Sequence, residues 1–118
     1  MYTSIKIYDN PNAESDGKRA VAELTKEDGK KKFVKFGLHQ SGGTFFDGAT
    51  EEKKTNYNNR HRKHEVWNKN GTGSAGFYSR WVLWEYRSVK AIKEKIKDIT
   101  GISKVTVRIK KIKVTRPN

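Results

Sequence analysis

Two sets of cations dominate the chemistry open to this chain. Lys53, Lys54, Arg60, Arg62, Lys63 and Lys69 form one set. Lys104, Arg108, Lys110, Lys111, Lys113 and Arg116 form the other, in a stretch (100–118) without a single acid. Lysine and arginine at this density neutralise phosphates and release condensed counterions, a binding mode that needs no base sequence. Read as a strand, residues 104–110 project Lys104, Thr106, Arg108 and Lys110 from one face and pack Val105, Val107 and Ile109 inward. Cations then recur about every 6.6–7 Å, a spacing that can follow a phosphate backbone. Lysines guarding an edge strand against aggregation would explain two or three of these residues, not six.

Two further constellations carry less. His61 and His64 stand at i, i+3, with Glu65 and His39 as the nearest residues that could complete a metal set. Arg60, Arg62 and Lys63 would repel a cation there, so the imidazoles read as packed, hydrogen-bonded or phosphate-donating groups, and no metal or cofactor is expected. Glu51-Glu52 is explained by a helix start, where acids meet the dipole. No nucleophile elbow, paired-acid signature or nucleotide loop accompanies it. Ser41-Gly42-Gly43 lacks P-loop spacing and reads as a flexible connector. A non-enzymatic protein is the expectation.

Composition narrows the partner. The 118 residues suit one domain, 1–118, with a modest core. No apolar run is long enough to span a membrane, Met1–Lys6 lacks a signal-peptide block, and cysteine is absent, which excludes disulfides and thiolate sites. The net charge of +13 is one-sided: 8 Lys/Arg against 7 Asp/Glu in residues 1–50, and 18 against 6 in 51–118. Such a field attracts polyanions, with nucleic acid, double-stranded DNA foremost, ahead of an acidic protein or a merely basic soluble protein. A membrane partner is not expected.

The elements that must position these residues follow from periodicity. Residues 74–84 concentrate the large apolar side chains, with Phe77, Trp81 and Trp84 at i, i+4, i+7, and predict a buried central helix over 77–86. Arg80 inside it requires a carboxylate or carbonyl partner. Tyr2–Tyr8 alternates as a half-buried strand. Residues 19–25 and 31–36 form a hairpin around Asp28-Gly29. Thr50 caps a helix over 51–69, with Tyr57, His61 and His64 on its inner face. Ser88 caps another over 88–100, with the stripe Val89, Ile92, Ile96, Ile99 and Gly101 as its stop. Ile102–Thr115 predicts a strand with a bulge or bend near Lys110-Lys111.

Several of these segments resemble an uncharacterised family of short basic proteins from giant icosahedral (nucleocytoplasmic large) DNA viruses of protists. The residues are Lys32-Phe33-Val34-Lys35-Phe36-Gly37, Tyr57 with Arg60-His61-Arg62-Lys63-His64-Glu65-Val66-Trp67, the block Ser74 to Trp84, and Val89 to Ile99 with Ile96-Lys97-Asp98-Ile99. They fall within residues 31–100. The family pattern has Thr where Ser74 stands and Trp where Tyr78 stands. Gly42–Asp47 looks like a diverged form of its loop, and the strand after Gly101 looks like an addition. The resemblance implies a virion component, met in the host cytoplasm (the viral factory) during infection, and carries no activity or binding residues with it.

Together these readings predict an α+β domain: a small antiparallel sheet packed with about three helices, and a C-terminal strand that joins it or pairs between subunits of a homodimer. The expected function is virion-associated nucleic-acid binding through the two basic clusters. The rivals are a capsid-associated structural protein binding an acidic viral partner or other virion proteins, and a small nucleic-acid enzyme.

Overall fold

The computed structural model describes residues 1–39 and 43–112. It is an α+β arrangement: a four-stranded mixed sheet with helices packed on one face. Strands β1 (Tyr2–Asp9), β2 (Lys18–Lys26), β3 (Lys31–Leu38) and β4 (Lys104–Arg108) lie in the order β3-β2-β1-β4. The first three are antiparallel, as expected, with the Lys26–Lys30 turn closing the predicted hairpin. The last strand runs parallel to β1, which makes the sheet mixed. It therefore belongs to its own sheet, and among the described residues its other edge has no strand neighbour.

Alternation sets the core. Ile5, Ile7, Ala20, Ala22, Leu24, Val34, Phe36, Val105 and Val107 are buried on the helix-covered side. Helix α1 (Ala13–Asp16) is a single turn between β1 and β2. Helix α2 (Glu51–His61) opens on Thr50, whose hydroxyl accepts from the Lys53 N–H at 3.2 Å. Helix α4 (Val89–Thr100) opens on Ser88, which accepts from the Ala91 N–H, and stops at Gly101 with φ 74°, a left-handed conformation that favours glycine. Ile92 and Ile96 of its stripe are fully buried, and Val89 and Ile99 half-buried.

Two expected helices differ. The 51–69 helix ends at His61, and the chain beyond is held by other partners: Glu65 pairs with His61 Nδ1 at 2.8 Å and accepts from Trp67 Nε1 at 2.9 Å, while the Trp67 carbonyl is tied to Trp81. His64 consequently lies outside the helix and exposed, not on its inner face. The aromatic hub starts and ends earlier than predicted, and its second half is a wider turn. Helix α3 (Ala75–Tyr78) continues through a π-helical turn, Ser79–Leu83. That turn shifts the buried face to Phe77, Tyr78, Val82 and Leu83, all fully enclosed, while Trp81 and Trp84 are only half-buried. Trp81 instead donates to the Trp67 carbonyl at 2.8 Å and carries Arg80 on its face at 4.5 Å. Arg80 has the carboxylate it required, in Glu85.

The loop after β3 is not a slack connector where it is described. Thr44, Phe45, Phe46 and Asp47 are buried. Asp47 meets Arg19, which is 2% exposed, through two bonds of 3.0 and 2.9 Å. Arg19 also reaches Asp9 at 2.6 Å and the Lys110 carbonyl at 2.7 Å. Asp9 and Asp47 in turn accept from the Lys110 and Ile112 N–H groups. The regular strand therefore ends at Arg108, near the predicted bend, and Ile112 is bonded to its own chain; Val114 lies outside the described residues. Burial would raise the Asp47 pKa, but Arg19, the Ile112 N–H and Thr44 outweigh it and hold the carboxyl below its usual value.

Two outcomes follow from the packing. Leu83→Ala should cost about 2–5 kcal/mol in denaturant unfolding, and Trp81→Ala, at a half-exposed site, clearly less. Asp47→Ala strands the Arg19 charge and should cost about 3–5 kcal/mol. Because the folded-state pKa of Asp47 is lowered, its contribution is complete above the unfolded value of about 3.9 and disappears as pH falls through the folded value. Stability curves of wild type and Asp47→Ala should therefore converge at the acid end. Parallel curves would remove Asp47 as the source.

Candidate nucleic-acid interface

The strand register assembles a surface on the side of the sheet away from the helices. Three rows cross it. Lys35, Val21, Tyr8 and Arg108 form the first; Phe33, Glu23, Lys6 and Thr106 the second; Lys31, Thr25, Ser4 and Lys104 the third. Each row takes one residue from each strand, since neighbouring strands keep alternate side chains on the same face. Five cations and two rings thus surround one carboxylate.

That carboxylate is engaged. Glu23 pairs with Lys31 at 2.8 Å and accepts from the Tyr8 hydroxyl at 3.3 Å. The Lys31 hydrogen bond lowers the Glu23 pKa, and Glu23 raises that of Lys31. Burial and the nearby Glu23 charge push the Tyr8 phenol up. Lys35 pairs with Asp16 of α1 at 2.6 Å and, through that bond, holds the Asp16 carboxyl down at about 2. Lys6, Lys104 and Arg108 form no ion pair among the described residues, and all three are exposed. Lys6 and Arg108 line a shallow cleft of about 310 Å³ with Tyr8 and Thr106.

The sequence-predicted cations separate on this framework. Lys104 and Arg108 reach the open face as expected. Lys110 is exposed beyond the strand, its main chain tied to Arg19 and Asp9. Lys111 is spent internally: its ammonium donates to the Phe46 and Arg87 carbonyls at 2.7 Å each and sits 4.0 Å from the Phe46 ring centre. Lys113 and Arg116 lie outside the described residues. Lys54 is likewise used in packing, on the Glu85 carboxylate and carbonyl and over the Phe45 ring. Lys53, Arg60, Arg62 and Lys63 are exposed on α2 and the turn after it. Helix α2 stacks Tyr57 on Trp84 at 4.5 Å, in the helical layer, and Arg60 lines a cleft there with Phe36, Gly37 and Tyr57, which includes neither Lys104 nor Arg108. Lys69 lines a different cleft with Thr3 and Ser103, near the starts of β1 and β4. The two clusters do not merge into one track.

Lys6, Tyr8, Phe33, Lys31 and Lys35 were not singled out by sequence reasoning. Alternation places Lys6 on a solvent face, but only the β1–β4 pairing sets it beside Thr106.

The Arg60-His61 and Gly76-Phe77 segments converge elsewhere. Trp84, Tyr57 and His61 stack in series, with Tyr57 to His61 at 4.0 Å. Burial and the Glu65 charge raise the Tyr57 pKa to about 12. A Cβ on Gly76 would lie 2.8 Å from the Glu65 carboxyl carbon, so the glycine is required by the close approach of a side chain already held by His61 and Trp67.

The fold and this face define an α+β protein with an uncovered, cation-rich sheet surface. None of the protein-family models, curated proteins or solved structures compared with the chain matches it.

Gly76→Ala should lower stability by about 1–3 kcal/mol through overpacking, although alanine is the better helix former. Combining it with Glu65→Ala should recover part of that loss in a double-mutant cycle by denaturant unfolding. A neutral Gly76→Ala variant would show that Glu65 moves aside freely.

Proposed function

We propose that this protein is a non-enzymatic, virion-associated, sequence-tolerant nucleic-acid-binding protein whose principal contact surface is the open sheet face. The observation that carries this reading is the placement of Lys6, Lys104 and Arg108, exposed and without an ion pair among the described residues, on adjacent strands of the sheet face away from the helical core. Cations held on a sheet are pre-positioned by their backbone, so phosphate contact costs less ordering than it would from a loop. Lys53, Arg60, Arg62 and Lys63 add long-range attraction from the opposite side and raise the encounter rate. The virion setting rests on the family resemblance of the segments within residues 31–100.

Salt separates working cations from packing cations. Binding of a labelled DNA by fluorescence anisotropy should weaken steeply between 50 and 200 mM salt. Lys104→Ala and Arg108→Ala should each reduce the slope of log K against log salt by about 1 and leave the melting temperature unchanged. Lys111→Ala should do the reverse, since its ammonium caps two carbonyls. Absence of binding at 50 mM salt to any DNA or RNA would overturn the reading in favour of an acidic protein partner.

A further inference from the structure

We infer that the open sheet face takes single-stranded nucleic acid in preference to duplex, with bases stacked on Phe33 and Tyr8 and phosphates held by Lys6, Lys104 and Arg108. This rests on the nucleic-acid reading above and specifies the form of the partner.

The face carries two kinds of group, and only one kind suits a duplex. Phosphates of either form can meet the cations. Aromatic rings, however, gain from a nucleic acid only when they reach the flat of a base, and in a duplex that flat is already stacked and paired. Phe33 is 58% exposed, a large apolar ring left in water on the outer side of an edge strand. Tyr8 is half-buried, two strands away and one row along. Strand spacing and rise put their Cα atoms roughly 12 Å apart, and Lys6 stands at the corner of that diagonal, in the row of Phe33 beyond Glu23 and two residues from Tyr8 on the same strand. Two rings and a free cation at these spacings suit an extended strand that presents both bases and phosphates.

The remaining groups fit the same occupant. Arg108 stands next to Tyr8 in its row, and Lys104 lies at the far corner of β4. The one acid on the face, Glu23, is neutralised by Lys31, so it does not repel the backbone. The face is four strands wide and its one described cleft, lined by Lys6, Tyr8, Thr106 and Arg108, is shallow, which suits a splayed strand better than the convex duplex. An acidic protein segment would use the cations but gives Phe33 no stacking partner.

The test uses the full chain, a 20-nucleotide single-stranded DNA, the same sequence as duplex, and the matching RNA, with anisotropy at 50 mM salt. Single strands should bind at least tenfold more tightly than duplex. Phe33→Leu, which keeps apolar bulk and removes the ring, should lower single-strand affinity about five- to hundredfold, the range for one lost base stack, with duplex affinity and melting temperature unchanged. Phe33→Ala should match it. Equal or tighter duplex binding, or full single-strand affinity in Phe33→Leu, overturns this inference and leaves the nucleic-acid reading standing. No binding by either form, with a polyglutamate chain binding instead, overturns both.

Discussion

The guanidinium of Arg19 joins four separate pieces of chain, and the arrangement of the sheet depends on it. It comes from β2, grips Asp47 in the loop after β3, touches Asp9 at the end of β1, and donates to the Lys110 carbonyl, its third partner, beyond β4. Burying such a group alone would be prohibitive. Here the donors Nε, Nη1 and Nη2 all find acceptors. The Asp47 carboxylate in turn collects two guanidinium bonds, the Thr44 hydroxyl and the Ile112 N–H. A hydrophobic replacement could match the pair in stability, since desolvation offsets much of the attraction between buried charges. What apolar packing could not do is specify direction. The network ties the backbone after β4 to the end of β1, which sets the parallel register that puts Arg108 beside Tyr8.

The same economy of apolar groups explains where many of the cations go. In a chain that is 33% hydrophobic, several rings outside the central cluster are covered by cations instead of by apolar side chains. Phe45 lies beneath both Lys54 and Arg87, Phe46 beneath Lys111, and Trp81 beneath Arg80 and Lys95. Each cation lays its aliphatic stem or planar head on a ring and finds a carbonyl or carboxylate at its tip where one is near. Arg87 does this with the Phe45 and Ala49 carbonyls. Formal charge is therefore a poor count of binding groups here. The relevant cations are those on a surface with nothing to pair them, and that distinction is invisible before the chain is folded.

Much of the architecture was nonetheless legible. Alternation in Tyr2–Tyr8, Asp-Gly between two strand patterns, hydroxyl caps at Thr50 and Ser88 and the Ile92–Ile96 stripe are local signals, and the local structure obeys them. The misreadings do not share one cause. The helix after Thr50 stops at His61 although no glycine or proline marks the spot, and the chain beyond it is tied to the aromatic hub through Trp67, whose carbonyl accepts from Trp81. Trp81 leaves the core because a π-helical turn rotates the segment around it. Thr44–Asp47 reads as loop residues and becomes core because Arg19, 28 positions away from Asp47, needs a carboxylate. The neighbours on the open face were out of reach for that last reason. Lys6 and Lys104 each sit on a visible solvent face, but nothing local says that β1 and β4 are neighbours.

The outer face itself shows what a solvated sheet surface requires and where this one departs from it. Val21 points to that side yet is 4% exposed; its row neighbours are Tyr8 and Lys35, whose ring and stem are the groups placed to cover it. Thr25, Ser4 and Thr106 are polar, and Glu23 is paired. Antiparallel sheets with one wet face normally look like this throughout. Phe33 breaks the pattern: a phenyl ring in a row with Glu23 and Lys6, on the edge strand, without an apolar neighbour in its row to shield it. A lone exposed apolar residue needs no explanation. A ring on a face that also carries the exposed Lys6, Lys104 and Arg108 is a different matter, because the two features cost solvation separately and are useful together. A polyanion with exposed planar groups satisfies both at once, whereas solvent alone satisfies only the cations.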